Sequence, residues 1–202
     1  MTYGSCLAAP AGNDILWNRL YSVAPFANLT GAPISSLNHT VMLRKYFKSA
    51  CLVLPESGEI QIRAKEAGVL SLLFPVENRG LRSRFFRQSM GRDLRAVLGS
   101  RWNFFLSLCR EFRREPGIVH VHSSDSIAPL ALGAARWCGL PSVLHVREPA
   151  GQSWCGRLRM GVLADLASAV VFVSDSIRQG YGAGIRRRAR VIRNFMDLPP
   201  LS

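Results

Sequence analysis

Several short segments carry side chains suited to binding or proton chemistry. His120-Val121-His122-Ser123-Ser124-Asp125 places two imidazoles two residues apart, then hydroxyls and a carboxylate. In an extended strand, residues i and i+2 share a face, so His120 and His122 point the same way. The pair suggests a metal, but no third ligand follows at a useful spacing, so no metal site is expected. Paired histidines above a Ser/Asp helix cap are the plainer reading. His145-Val146-Arg147-Glu148 sets a cation beside an anion, suited to a phosphate or to sugar hydroxyls, or equally to a structural ion pair. Asn28-Leu29-Thr30-Gly31-Ala32-Pro33-Ile34-Ser35-Ser36 reads as a turn allowed by Gly31 and a helix start capped by Ser35 or Ser36. Free N–H groups at such a start form an anion site, and an ordinary capped turn fits the same residues.

These segments sit where elements change. Apolar, β-branched runs at 20–24, 50–54, 69–74, 117–122, 142–146, 169–173 and 190–193 read as strands. Helices are expected at about 35–48, 58–67, 81–113 in pieces, 125–138, 155–167 and 175–182. Nearly all-apolar strands alternating with helices indicate a parallel sheet covered on both faces. The expected fold is therefore α/β: a doubly wound, Rossmann-like parallel sheet of about seven strands. In such a sheet the chemistry lies at the carboxyl ends of the strands, where the segments above fall.

Composition narrows the function. The 202 residues are 48% hydrophobic and 19% charged, which suits one core and argues against disorder. No apolar run is long enough to span a membrane, and the first residues do not read as a secretory signal. Five scattered cysteines without a CxxC fit free thiols in a reducing compartment. The net charge of +13 predicts anionic partners. Residues 79–115 hold ten arginines against three acids, interleaved with apolar residues at helical spacing. Arg82, Arg84, Phe85, Phe86 and Arg87 form the core of that patch, which suits either an anionic bilayer or a solvated helix face. A GxGxxG after the first strand, a GxxxxGK[ST], a GxSxG and an HExxH are all missing. Nucleic-acid binding would rest on charge alone, so nucleic acid is not an expected partner.

In order, these segments resemble the N-terminal half of a family 4 glycosyltransferase of the GT-B fold. Leu52 to Val69, LVLPESGEIQIRAKEAGV, resembles the family's V-V-L-P-x-x-G-x-L-x-x-x-L-x-x-x-G-I. Pro116 to Glu148 resembles its P-D-I-V-H-V-H-S and the helix and strand that follow. DLASAVVFVSDSIRQGY and RVIRNFMDL resemble the family's sixth strand and interdomain crossover. The resemblance covers roughly residues 19–198. It implies an N-terminal extension at 1–18, a Rossmann-like acceptor domain at 19–198 and the start of a linker at 199–202. A donor domain is expected to lie outside these residues, so the chain alone is expected to have little transferase activity.

The resemblance further implies a retaining enzyme moving a sugar from a nucleotide-sugar to a glycan or lipid-linked acceptor, with cell-envelope polysaccharide synthesis as the expected setting. Thr30, Gly31 and Ala32 would approach the donor diphosphate. His122, Ser123, Arg147 and Glu148 would line the acceptor side, and Asn194 and Asp197 would sit at the crossover. Arg147 stands where the family often carries histidine at the strand edge. No cofactor or metal is implied beyond the nucleotide-sugar substrate. A cytoplasmic location, peripheral on the inner face of the membrane, is expected, with a separate donor-domain chain as a candidate partner. A non-catalytic, basic membrane or nucleic-acid module on the same fold is the competing reading.

Overall fold

The computed structural model describes residues 17–76, 90–149 and 154–192. Seven parallel strands form one sheet in the order β3-β2-β1-β4-β5-β6-β7. They are β1 (Trp17–Val23), β2 (Phe47–Leu54), β3 (Leu70–Leu73), β4 (Ile118–Val121), β5 (Ser142–Val146), β6 (Ala169–Phe172) and β7 (Ala189–Val191). The connecting helices are α1 (Gly31–Leu43), α2 (Glu59–Glu66), α3 (Met90–Arg114), α4 (Ala128–Trp137), α5 (Trp154–Leu166), α6 (Asp175–Gln179) and α7 (Ala183–Arg188). The chain winds outward from β1 to β3, crosses back through α3 to β4, and winds outward again. The switch point therefore lies between β1 and β4, where a crevice opens beyond the carboxyl edge.

Alternation along each strand divides the side chains between two layers. Tyr21, Val23, Cys51, Val53, Val119, Val121, Leu144, Val146, Val170 and Phe172 belong to the larger core with α3, α4 and α5. Leu52 and Leu54 face the smaller core, with Leu37 of α1 and Ile60 and Ala64 of α2. Phe104, Leu108 and Phe112 of α3 recur every four residues and are almost wholly buried. Each such side chain contributes about 2 kcal/mol of apolar burial. Where the sequence suggested a helix in pieces, α3 runs unbroken through Gly99, whose missing Cβ faces open space.

Two features hold the amino ends of the strands. Arg19 of β1 is buried and pairs with Glu111 (3.2 Å), in the last turn of α3, and with Glu115, just after it. Tyr21 donates its hydroxyl proton to the Glu115 carbonyl at 2.6 Å and packs edge-on against Phe112. Gly117 lies so close to β1 that a Cβ there would stand 2.1 Å from the Arg19 carbonyl oxygen. These contacts fix α3 against β1, and so fix β4 where it carries its histidines to the opposite edge.

Candidate functional site

Alternation sends the histidines of β4 and β5 to the α1 face, opposite Val119, Val121, Leu144 and Val146. There the four histidines of the chain meet. The ring centroids of His39 lie 5.3 Å from those of both His122 and His145, and those of His120 and His122 are 3.9 Å apart. His120 and His122 come from β4 and its exit, His145 from β5 and His39 from α1.

The face of α1 that receives them is polar. Ser36 and Thr40 are fully buried, and their hydroxyls donate back to the carbonyls of Ala32 (2.8 Å) and Ser36 (2.7 Å). The Ser22 hydroxyl donates to the Ser36 carbonyl at 3.3 Å and lies 2.8 Å from His122 Nε2. With the Ser22 proton so used, His122 donates from Nε2 and keeps a lone pair on Nδ1. That Nδ1 is buried without a partner, as are both ring nitrogens of His145.

The electrostatics follow from this crowding. Burial holds His39, His120, His122 and His145 below the ordinary imidazole range, and the Arg147 guanidinium adds to the effect. His145 is pushed down to about 3, by burial first and then by the Arg147 guanidinium. The cluster is neutral at pH 7, and one cation stands over it.

That cation, Arg147, follows β5. Its Nη2 donates to His39 Nδ1 at 3.4 Å. It does not face Glu148 as a structural ion pair would. The Glu148 carboxylate instead accepts from the Ser124 hydroxyl at 3.2 Å and from the Arg147 backbone N–H at 3.4 Å. Tyr181 donates to the Glu148 carbonyl at 2.9 Å, and Arg159 donates to the Ser124 carbonyl. The two loops beyond β4 and β5 are thus tied together. Asp125 bridges into α4: it accepts from the Ile127 N–H, and its own N–H donates to Ser123.

The expected site residues divide in four. Arg147 and Glu148 are half-buried at the edge, beside one another as the sequence implied. His122 (0% exposed) and Ser123 (4%) are buried, so they support the edge from below instead of forming its open rim. Thr30, Gly31 and Ala32 do begin α1, but the cap differs from expectation. Neither Ser35 nor Ser36 caps it, because both lie inside the helix. Thr30 is the N-cap residue, and its hydroxyl donates to Asn28 Oδ1 at 2.7 Å, so no side chain caps the first turn. Gly31 does not use a positive φ; such values occur at Gly68 and Gly139. A Cβ at Gly31 would meet nothing within 4 Å. Asn194, Asp197, Arg82, Arg84, Phe85, Phe86 and Arg87 lie outside the described residues.

Sequence reasoning missed His39 and left His145 outside the set. Spacing along the chain gave no third histidine near His120 and His122; the fold places His39 and His145 beside them. His39, His122 and His145 each offer a ring nitrogen within 4.8 Å of the others. A usable signal was the polar i, i+3, i+4 pattern of Ser36, His39 and Thr40, on a helix face that should have been apolar.

A seven-stranded parallel sheet wound outward in both directions from one switch point defines a Rossmann-like α/β domain. The family model for Glycosyltransferase Family 4 matches residues 66–199, and the chain belongs to that family. The fold agrees with GT-B glycosyltransferases. HepE of Anabaena, solved with UDP, superposes with a TM-score of 0.64 at 13% identity over 89% of this chain and 44% of that one. MurG of Acinetobacter baumannii gives 0.61 at 15% identity over 86% and 45%. The lipopolysaccharide outer core galactosyltransferase WaaB gives 0.58 at 11% over 91% and 47%. The chain spans less than half the length of these structures. No curated protein matches the sequence. Among the described residues, no helix is long and apolar enough to cross a membrane.

Proposed function

We propose that this chain is the acceptor-side half of a retaining glycosyltransferase. It works with a donor half that clamps a nucleotide-sugar, and it presents a glycan or lipid-linked acceptor to that sugar, in cell-envelope polysaccharide synthesis. The family match supports the reaction class, and HepE, a structural neighbour, was solved with UDP. The observation that carries the reading at the residue level is the edge beyond β4 and β5. There a half-buried guanidinium and a half-buried carboxylate are held by separate hydrogen bonds, one strand away from the switch point. Arg147 supplies donors for a phosphate or hydroxyl oxygens, and Glu148 supplies an acceptor for sugar hydroxyls. The uncapped first turn at Thr30, Gly31 and Ala32 supplies free N–H groups for the donor diphosphate.

On its own the chain turns over no nucleotide-sugar, because one surface neither clamps the donor nor excludes water. The test joins it to a donor half, in one chain or as two, and follows release of nucleoside diphosphate with acceptor present. Arg147→Ala and Glu148→Ala are expected to raise KM for the acceptor with the donor KM little changed. Turnover by the isolated chain, or unchanged acceptor kinetics in both variants, would overturn the reading.

A second observation bears on location. Trp154, Leu158 and Val162 of α5 are 69%, 54% and 50% exposed and lie on one helical stripe, with exposed Arg157 and Arg159 beside them. That surface suits an anionic bilayer, with apolar residues at the acyl boundary and cations at the headgroups. Co-sedimentation with phosphatidylglycerol vesicles should fall for Trp154→Ser/Leu158→Ser. Equal binding by this variant would remove α5 from the contact.

A further inference from the structure

The histidine cluster is larger than an acceptor site needs. His145 has two buried ring nitrogens without partners, and His122 has one. A buried polar atom left unpaired costs about 1–3 kcal/mol. A chain with apolar side chains at these positions would be spared that cost, so the cluster calls for a ligand of its own.

We propose that His39, His122 and His145 form a binding site for a divalent transition-metal ion, with zinc the best match. Three neutral imidazoles converging from different elements are a donor set that suits zinc, and they leave a fourth position open. His122 is already oriented for this role: its Nε2–H donates to the Ser22 hydroxyl, which leaves the buried, unpartnered Nδ1 with the lone pair. The three offered nitrogens lie within 4.8 Å of one another. A zinc ion at about 2.0–2.1 Å from each needs them about 3.3 Å apart, so the longest separation must close by about 1.5 Å. Half-buried His39 on α1 is the ring with room to make that change, because His122 and His145 are almost fully buried.

Arg147 opposes the ion in a specific way. Its guanidinium donates to His39 Nδ1. Coordination through Nδ1 displaces that donor. Coordination through Nε2 puts the proton on Nδ1, facing the same donor. Either route breaks the contact, so guanidinium and metal compete for His39. The site does not rest on the transferase reading, and an inactive chain would bind the ion equally well.

The experiment uses the full 202-residue chain without a histidine tag and with its accessible thiols alkylated. Zinc is titrated calorimetrically, and cobalt binding is followed in the visible spectrum. One ion per chain is expected, with the strong absorption of tetrahedral cobalt. His39→Gln/His145→Gln should weaken binding at least tenfold. Arg147→Gln should tighten it about tenfold, a gain that misfolding cannot produce. Equal zinc affinity in the wild-type chain and the double-histidine variant would overturn the site, as would weaker binding in Arg147→Gln.

Discussion

The histidine cluster makes the stability of this domain depend on pH in a range where few other groups titrate. His145 keeps its proton off in the native state until about pH 3, whereas in the unfolded chain it titrates near 6.5. Between those values the unfolded state binds a proton that the native state refuses. Stability is therefore fully present above pH 6.5 and is lost progressively as pH falls toward 3. From pH 7 to pH 5, His145 alone removes about 2 kcal/mol. Its ceiling over the whole window is about 5 kcal/mol. His39, His120 and His122 are shifted in the same direction and add to the loss. Asp125, whose carboxyl is raised by burial, works the other way, but near the carboxylate range. Urea unfolding at pH 7 and pH 5, for the wild-type chain and His145→Gln, isolates the contribution. The glutamine does not titrate, so the variant should lose about 2 kcal/mol less over that interval. Parallel losses in the two proteins would show that His145 is protonated in the native state, and would refute a buried neutral cluster.

Three further outcomes follow from the packing. Arg19→Ala leaves the buried Glu111 carboxylate with only the exposed Arg114 guanidinium as partner and takes the cation from Glu115, and should cost about 3 kcal/mol in a denaturant titration at pH 7. Gly117→Ala forces a Cβ against the Arg19 carbonyl and should destabilise by about 2 kcal/mol or more, whereas Gly99→Ala, in open space within α3, should stabilise by about 1 kcal/mol. Tyr181→Phe removes the hydrogen bond to the Glu148 carbonyl, costs about 1 kcal/mol, and should raise hydrogen exchange in the loop beyond β5.

The sheet was legible because each strand is a local signal. Ala50-Cys51-Leu52-Val53-Leu54, stopped by Pro55, and Ser142 to Val146 are short apolar runs with clear ends. The doubly wound arrangement followed from the alternation of strands with helices and not from any one residue, whereas the order of the strands comes from the structure. Helix starts were harder. Ser35 and Ser36 look like caps, yet α1 begins four residues before Ser35, because Pro33 suits a first turn and Thr30 is free to turn toward Asn28. The join between the two helices after β6 shows the same limit. The helix expected at 175–182 stops at Gln179, before Gly180, and α7 starts only at Ala183, after Gly182.

The site was legible only along the chain. Arg147 and Glu148 are neighbours in sequence, and so are His120 and His122, so their proximity could be read directly. His39 is separated from His145 by three strands and as many helices, and no spacing rule joins them. What could be read is a conflict: Ser36, His39 and Thr40 place polar groups on the helix face that the sheet should bury. Natural sequences break such local rules where function demands it. Here the fold resolves the conflict in part, by giving Ser36 and Thr40 backbone partners and His122 a serine. It leaves His145 without any. An apolar residue at 145 would spare that unpaired cost, so the imidazole suits the ion site proposed above and does not suit a packing role.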